Sequence, residues 1–340
     1  MNYTILAIES SCDETAAAVY SSTHGMLSNH LYSQAFLHTP FGGVLPEVAS
    51  RSHLEKMPII IQQALDTAGC TLNDIDVIAV THKPGLAGSL LVGVCFAKSL
   101  AWATNKKLIG VNHLEGHAFS AQIENDIPFP YLCITASGGH TSLYLVHDFG
   151  VYDVLGQTVD DAAGEAFDKI AKLINLGYPG GPIIEQYAAA VDFQDFFSYP
   201  RTKKSSFDFS FSGLKTAVLY DLVKRNAYIL ETKQFTQASN ILLQQQVASS
   251  LLVCISDIFI DKITYALKQF PQVKAVAFVG GVACNKFIKR KLQALCLQKN
   301  IPFFAPSPQY CTDNAGMIAF VGHYKAHKGE FSDLSLDILR

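Results

Sequence analysis

The stretch Tyr131–Val146, "YLCITASGGHTSLYLV", reads as a buried strand, a glycine-containing turn and a second strand. A third strand is predicted over "VYDVLGQT", beginning at Val151. The chain opens in the same way: "TILAIESS", the turn "CDET", then "AAAVY" and a third strand near "MLSNHLYSQ". Behind this first opening, Leu54, Met57, Ile60, Ile61 and Leu65 stand at helical spacing and predict a helix over about Arg51–Ala68. The strand "DVIAVTH", the loop "KPGLAGS", an apolar helix over Ser89–Ala103, the strand "LIGV" and a helix around "NHLEGH" follow. Behind the second opening come a helix over about Asp161–Leu176, a helix-rich stretch, the strand "VKAVAFVGGV", a helix from near Asn285, the strand "IPFFAP" and a last helix after "TDNAG".

A hairpin opening followed by alternating strands and helices, stated twice, predicts an α/β chain of two duplicated, ribonuclease-H-like lobes. This is the layout of the two-lobed actin/sugar-kinase/heat-shock ATPase-like superfold, whose two hairpin turns face a ligand cleft. The predicted N-terminal lobe covers residues 1–129, joined by the C-terminal tail 326–340. The predicted C-terminal lobe covers 130–325 and carries a helical excursion, with polar and aromatic residues 190–210 leaving the regular pattern.

Bulk properties narrow the function. The chain has 340 residues, 49% hydrophobic and 16% charged, which suits an ordered core and excludes a largely disordered protein. A formal net charge of −3 excludes a strongly basic nucleic-acid binder, leaving room only for local basic patches. "NKFIKRK" (Lys286, Lys289, Arg290, Lys291) and "PRTKK" (Arg201, Lys203, Lys204) are the conspicuous ones, and each also suits a merely solvated face. The eight cysteines are scattered without a C-x-x-C pair, as expected of reduced thiols in a cytoplasmic protein. No signal-peptide pattern opens the chain. The stretch Ser89–Ala103, interrupted by Gly93 and Lys98, reads as too short to span a bilayer, so no membrane is expected.

Several short constellations can carry chemistry. In "VNHLEGHAFS", His113 and His117 stand four residues apart. On a helix they are rotated by about 40°, share a face and can grip one metal ion. Two buried histidines satisfied by backbone groups fit the same spacing. Glu115 lies about 200° round from His113. The metalloprotease signature H-E-x-x-H instead puts its glutamate beside the first histidine, within reach of the metal-bound water. Asp313 in "CTDNAG" suits a third ligand or a helix N-cap equally. Asp13 and Glu14 occupy the first hairpin turn. The glycine turns "SGGHT" (Ser137–Thr141), "YPGGP" (Tyr178–Pro182) and "VGGVACN" (Val279–Asn285) let backbone N–H groups approach an anion. In "DDAAGEAFDK", Asp160 and Asp161 read as helix caps and Glu165–Lys169 as a solvated pair, while a carboxylate on this helix that faces a cleft would suit ribose hydroxyls.

Taken in order, "ESSCDETA", "GGVLPEVASRSHL", "NHLEGH", "SGGHT", "DDAAGEAFDK", "YPGGP", "FDFSFSGLKT", "GGVACN" and "CTDNAGMIA" resemble the bacterial tRNA adenosine N(6)-threonylcarbamoyltransferase family, once described as a glycoprotease. The resemblance covers almost the whole chain. It implies an acyltransferase that moves a threonylcarbamoyl group from threonylcarbamoyl-AMP to the N(6) amine of the adenosine 3′ of the anticodon, in tRNAs reading ANN codons. It implies His113, His117 and Asp313 as ligands of one divalent metal per subunit, Fe²⁺ or Zn²⁺. Substrate contacts are implied for Ala136, Ser137, Gly138, Gly139, His140, Asp168, Gly181, Glu185 and Asn285, with Mg²⁺ accompanying bound nucleotide. Asp13 and Glu14 match acids needed for activity. Implied partners are tRNA, a paralogous dimerisation subunit and a small ATPase, in the cytoplasm. Two departures stand out: Lys83 where the family commonly has glycine, and Ala315–Gly316 in the reverse of the common order, which touches helix packing rather than metal binding. The rival readings are a metalloprotease, a sugar-kinase-like ATP-dependent kinase and a non-enzymatic scaffold. Oxygen-preferring Mg²⁺ makes the histidine pair unexpected in the kinase.

Overall fold

Thr4–Glu9 has almost no polar face, so a strand there must be covered on both sides. In the computed structural model, which describes residues 2–41, 43–202 and 205–339, it is β1, the centre of a five-stranded sheet. β2 (Glu14–Ser21) and β3 (Gly25–Ser33) extend the sheet antiparallel on one side. β4 (Val77–Lys83) and β5 (Lys107–Asn112) extend it parallel on the other. A one-turn α1 (Ala35–His38) leads to α2 (Pro46–Ala68). α2 begins at Pro46 rather than near Arg51, because proline at the first helical turn loses no hydrogen bond. α2 and α3 (Ala87–Thr104) bury Met57, Ile60, Ile61, Val94 and Ala97 with Leu6, Ile8, Ile78 and Val80. α4 (His113–Phe119) follows β5 directly.

Contrary to the sequence reading, α3 does reach the length and apolarity of a bilayer crossing: 18 residues with hydropathy 1.4. Its inner face is nevertheless that of a core helix, with Ser89, Leu90, Gly93, Val94, Ala97 and Ala101 buried. Gly93 meets the Ser10 side chain, whose hydroxyl donates to the Ser89 carbonyl at 2.9 Å.

The second opening builds a sheet of the same design. β6 (Tyr131–Ala136), β7 (Thr141–Asp148) and β8 (Val151–Gln157) are antiparallel neighbours. α5 spans Ala163–Leu173 and stops short of the predicted Leu176, where Asn175 adopts left-handed backbone at φ 56°. α6 (Gly180–Ala189) and α7 (Ser212–Lys224) follow, then a small hairpin, β9 (Tyr228–Ile229) and β10 (Gln234–Phe235). The 29-residue α8 (Ile241–Gln269) leads to β11 (Ala275–Val279), α9 (Lys286–Gln298) and β12 (Phe303–Phe304). β11 pairs parallel with β6 and with β12.

Residues 190–202 and 205–210 contain no helix and no strand. Arg201 anchors them through Asp195 at 2.7 Å and Asp257 at 2.8 Å. Lys203 and Lys204, of the second basic cluster, lie outside the described residues. Asp160 does not cap α5. It accepts from the backbone of Phe211 and Ser212 at 2.7 and 3.1 Å and from the Ser210 and Ser212 hydroxyls, tying "FDFSFSGLKT" to the end of β8. Asp161 pairs with Lys169 at 2.7 Å.

Two compact units result: Met1–Asn125 with Pro306–Arg340, and Asp126–Ala305. The chain rejoins the first unit at Pro306, not at residue 326, because α10 (Pro308–Cys311) and α11 (Ala315–Lys328) carry the apolar cover for the open face of the first sheet. Gly322 of α11 sits against Ala79 and Ile5, which point away from α2 and α3. The reversed Ala315–Gly316 order is accommodated, since Gly316 is the position pressed against Tyr310 and Asn314. All eight cysteines are free. Gly93→Ala forces its methyl onto the Ser10 hydroxyl, and thermal unfolding should show about 1–3 kcal/mol of lost stability.

Candidate functional site

The first unit gathers its polar groups at the ends of β1, β4 and β5. Asn112 ends β5 and caps α4, its Oδ1 accepting from the Leu114 N–H at 2.9 Å. That cap starts a helix on which His113 and His117 stand one turn apart, ring centroids 4.7 Å from each other. Both Nε2 atoms face one oxygen of Asp313: His117 at 2.9 Å and His113 at 3.4 Å. All three ligand atoms lie within 4.8 Å of one another. A tetrahedral ion about 2.0–2.1 Å from each ligand separates them by roughly 3.3 Å, so the cluster fits one small divalent cation.

Hydrogen bonds remove the cap alternative for Asp313. Asn314, not Asp313, caps α11, its Oδ1 accepting from the Met317 N–H at 3.0 Å. The histidines are not satisfied by backbone. His113 Nδ1 faces Glu9 Oε2 at 3.0 Å and Ser11 Oγ at 3.1 Å, and His117 Nδ1 is buried without a partner among the described residues. Burial alone would raise the Asp313 carboxyl, but the two imidazoles hold it well below its ordinary range. Burial likewise opposes a charged His113, yet Asp313 and Glu9 push it well above.

Asp13 ends the turn that precedes β2, and Glu14 is the first residue of that strand. Gln34 N–H donates to the Asp13 carbonyl at 3.0 Å and the Ser33 hydroxyl to Glu14 Oε1 at 3.3 Å. Burial, Asp313 and Asp13 together raise the Glu14 carboxyl well above its usual range. The turn is braced from behind. His53 of α2 lies 3.0 Å from the Cys12 carbonyl and 2.8 Å from the Thr15 hydroxyl, and Leu86 N–H donates to the Ser11 carbonyl at 2.8 Å. Gly85 is required there, since a Cβ would lie 2.6 Å from that carbonyl. Burial pushes the Cys12 thiol far up, which removes it as a nucleophile.

In the second unit the glycine turns do two jobs. Gly138 and Gly139 open onto free space at the tip of the β6–β7 hairpin, which the Ser137 N–H closes by donating to the His140 carbonyl at 2.8 Å. Gly164 and Gly280 instead permit close packing. A Cβ at Gly164 would lie 2.6 Å from the Ser137 carbonyl, and Gly280, at φ 90°, presses on the Ala136 carbonyl. The start of α5 is thereby held against the hairpin turn. Asp168 accepts from the Gly180 N–H at 2.7 Å, and burial raises its carboxyl. Gly181 faces open space. Glu185 and Asn285 both serve the start of α9, Glu185 Oε1 accepting from Phe287 N–H at 2.8 Å and Asn285 Oδ1 from Ile288 N–H at 3.0 Å. Of the implied nucleotide contacts, Asp168, Glu185 and Asn285 therefore each commit one oxygen to a helix terminus.

The sequence matches the family profile described as tRNA N6-adenosine threonylcarbamoyltransferase, TsaD, over residues 25–320. The chain belongs to this family. It is 46% identical to the tRNA N6-adenosine threonylcarbamoyltransferase of Thermodesulfovibrio yellowstonii, over 98% of this chain and 97% of that one. It is also 46% identical to that of Geotalea uraniireducens, over 98% and 95%. Among solved structures, HypF in its phosphate- and nucleotide-bound form superposes with TM-score 0.65 at 14% identity, over 97% of this chain and 47% of HypF. The activator of 2-hydroxyisocaproyl-CoA dehydratase from Clostridium difficile gives TM-score 0.51 at 15% identity, over 98% and 99%. These likenesses place the fold in the two-lobed actin/sugar-kinase/heat-shock ATPase class expected from the sequence.

Family membership makes the chain a transferase, and the protease reading also fails locally. Glu115 is buried and paired with Lys325 at 3.3 Å, so it is engaged away from the Asp313 oxygen that the histidines share. Sequence reasoning missed Glu9, Ser11, Thr81 and His53. A glutamate closing an apolar strand was the available signal, because a buried charge needs partners. Should the Ser137–His140 turn contact the acyl donor as the family resemblance implies, Gly164→Ala, which displaces that turn and not the acids, will raise KM for the donor about tenfold or more with little change in kcat at saturation. Steady-state kinetics on the purified variant, with circular dichroism to confirm folding, will check this.

Proposed function

We propose that the chain transfers the threonylcarbamoyl group of threonylcarbamoyl-AMP to the N(6) amine of the adenosine 3′ of the anticodon, in tRNAs reading ANN codons. The observation that carries this reading is the convergence of His113, His117 and Asp313 on one point in a chain of this family. Fe²⁺ or Zn²⁺ bound there would act as a Lewis acid on the donor's oxygens. The donor is a mixed carbamic–phosphoric anhydride. In the transfer, the amine nitrogen bonds to the carbamoyl carbon, the bond from that carbon to the phosphate oxygen breaks, and AMP leaves.

The residues of this chain then divide the work. His113, His117 and Asp313 supply ligands and leave coordination positions open. Asp13 and Glu14 align the amine or accept its proton, directly or through water. Ala136–His140 present hairpin N–H groups to the acyl-adenylate. Asp168, Gly181, Glu185 and Asn285 hold its nucleotide part, with Mg²⁺ accompanying bound nucleotide. The termini of α5, α6 and α9, gathered by Gly164, Asp168 and Glu185, favour negative charge and support that assignment.

The acceptor tRNA engages a surface shared with two partners, a paralogous dimerisation subunit and a small ATPase, in the cytoplasm. Exposed Leu54 of α2 and Leu91 and Trp102 of α3, the last 75% exposed, support a protein partner on these helices. On α9, Arg290 lies 5.6 Å from the ring centroids of both Phe193 and Phe287, leaving Lys286, Lys289 and Lys291 as the phosphate-contacting candidates.

The deciding experiment combines the protein with threonylcarbamoyl-AMP, unmodified tRNA and the candidate partners, and seeks the modified nucleoside by mass spectrometry. Product should form with wild type, and Asp13→Ala and Glu14→Ala should each lower the transfer rate by about 10²–10⁴-fold. Near-normal rates in both would remove the acids from the reaction. Replacing Lys286, Lys289 and Lys291 by glutamine should flatten the slope of log K for tRNA against log salt by about 0.7–0.9 for each phosphate no longer neutralised. An unchanged slope would exclude α9 from the tRNA footprint.

A further inference from the structure

Glu9 ends β1 with no exposed surface, and nothing in the transfer reaction described above uses it. Its Oε1 accepts from the Ser11 backbone N–H at 2.6 Å. Its Oε2 accepts from the Thr81 hydroxyl at 2.6 Å and faces His113 Nδ1 at 3.0 Å. The opposite ring nitrogen, Nε2, is the one turned toward Asp313. The imidazole thus spans a buried carboxylate on one side and the metal-ligand cluster on the other.

A carboxylate faces each ring nitrogen of His113, Glu9 at Nδ1 and Asp313 at Nε2, so the nitrogen that a cation takes sets where the remaining proton lies. A backbone N–H can only donate, and an ionised carboxylate can only accept. With a cation on Nε2 the ring is neutral and its proton lies on Nδ1, where Glu9 Oε2 accepts it at 3.0 Å and Ser11 Oγ stands at 3.1 Å. We propose that Glu9 is a positioning residue that fixes His113 in this tautomer and orientation, holding Nε2 ready to bind the divalent cation. The proposal rests on the metal reading given under the proposed function.

A nearly isosteric substitution isolates the effect. In Glu9→Gln, the Ser11 N–H keeps the amide oxygen in the Oε1 place, so the NH₂ group takes the Oε2 place. The Thr81 hydroxyl can turn to accept from it. His113 Nδ1 then loses its carboxylate acceptor and is met by an amide donor, which favours the proton on Nε2, the ligand atom, and leaves Ser11 Oγ at 3.1 Å as the one acceptor near Nδ1 among the described contacts. Shape is kept while the charged acceptor that holds the proton on Nδ1 is removed.

The test uses the full chain stripped of metal, titrated with Co²⁺ and followed by its visible d–d absorption in competition with a chelator. Wild type, Glu9→Gln and His117→Ala are compared, with thermal unfolding by circular dichroism to confirm that each is folded. Wild type should bind one Co²⁺, and folded Glu9→Gln should bind about 10–100-fold more weakly. Equal affinity of wild type and Glu9→Gln would overturn the role of Glu9 while leaving the metal site standing. Failure of wild type itself to bind, indistinguishable from His117→Ala, would overturn the metal reading instead. Should Glu9→Gln not fold, long-range ¹H–¹⁵N correlation on Zn²⁺-loaded wild type decides. A proton on His113 Nδ1 with Nε2 coordinated supports the proposal, and coordination through Nδ1 overturns it.

Discussion

The carboxylate of Asp313, set against the imidazoles of His113 and His117, is the contact around which the first unit arranges its buried polar groups. It joins residues 196 apart in sequence. It is available because Asn314 takes over the capping of α11 and because that helix covers the open face of the first sheet. A cation at this point would see two neutral imidazoles and one carboxylate, a donor set that leaves net positive charge and open positions. Behind it, Glu9, Ser11 and Thr81 form a supporting layer drawn from β1, the following turn and β4.

The acids of the first turn show the same manner of support. Asp13 and Glu14 sit where the backbone is clamped from α2 by His53, from the β4–α3 loop by Leu86 and from β3's end by Gln34. A turn held by this many fixed donors and acceptors can keep two carboxylates in place without a metal of its own. In the second unit, preorganisation comes from glycine. Gly164, Gly180 and Gly280 let helices and turns approach at distances a side chain forbids, and Gly138, Gly139 and Gly181 leave backbone open.

The capping roles of Asp168, Glu185 and Asn285 change how these residues should be read. Each keeps a helix N-terminus in place with one oxygen, so the N–H groups of those termini are part of the same device. Capping a terminus and contacting a ligand are compatible roles, because an N-terminus held open to an anion must be held by something. Arg290 went the other way: its apparent availability in a basic cluster is taken up by two aromatic faces.

Strand-turn-strand patterning, repeated at Thr4 and Tyr131, was enough to give the α/β class and its duplication, because a period-two or wholly apolar run restricts a segment locally. Helical spacing was enough to put His113 and His117 on one face and Glu115 on another, since rotation per residue is a property of the backbone alone. The capping of α11 by Asn314 and not Asp313, the pairing of Glu9 with His113, the sequestering of Glu115 by Lys325 and the return of the chain at Pro306 were not legible. Each depends on which distant segment arrives to satisfy a buried polar group, and only the closed tertiary structure settles which partners are within reach.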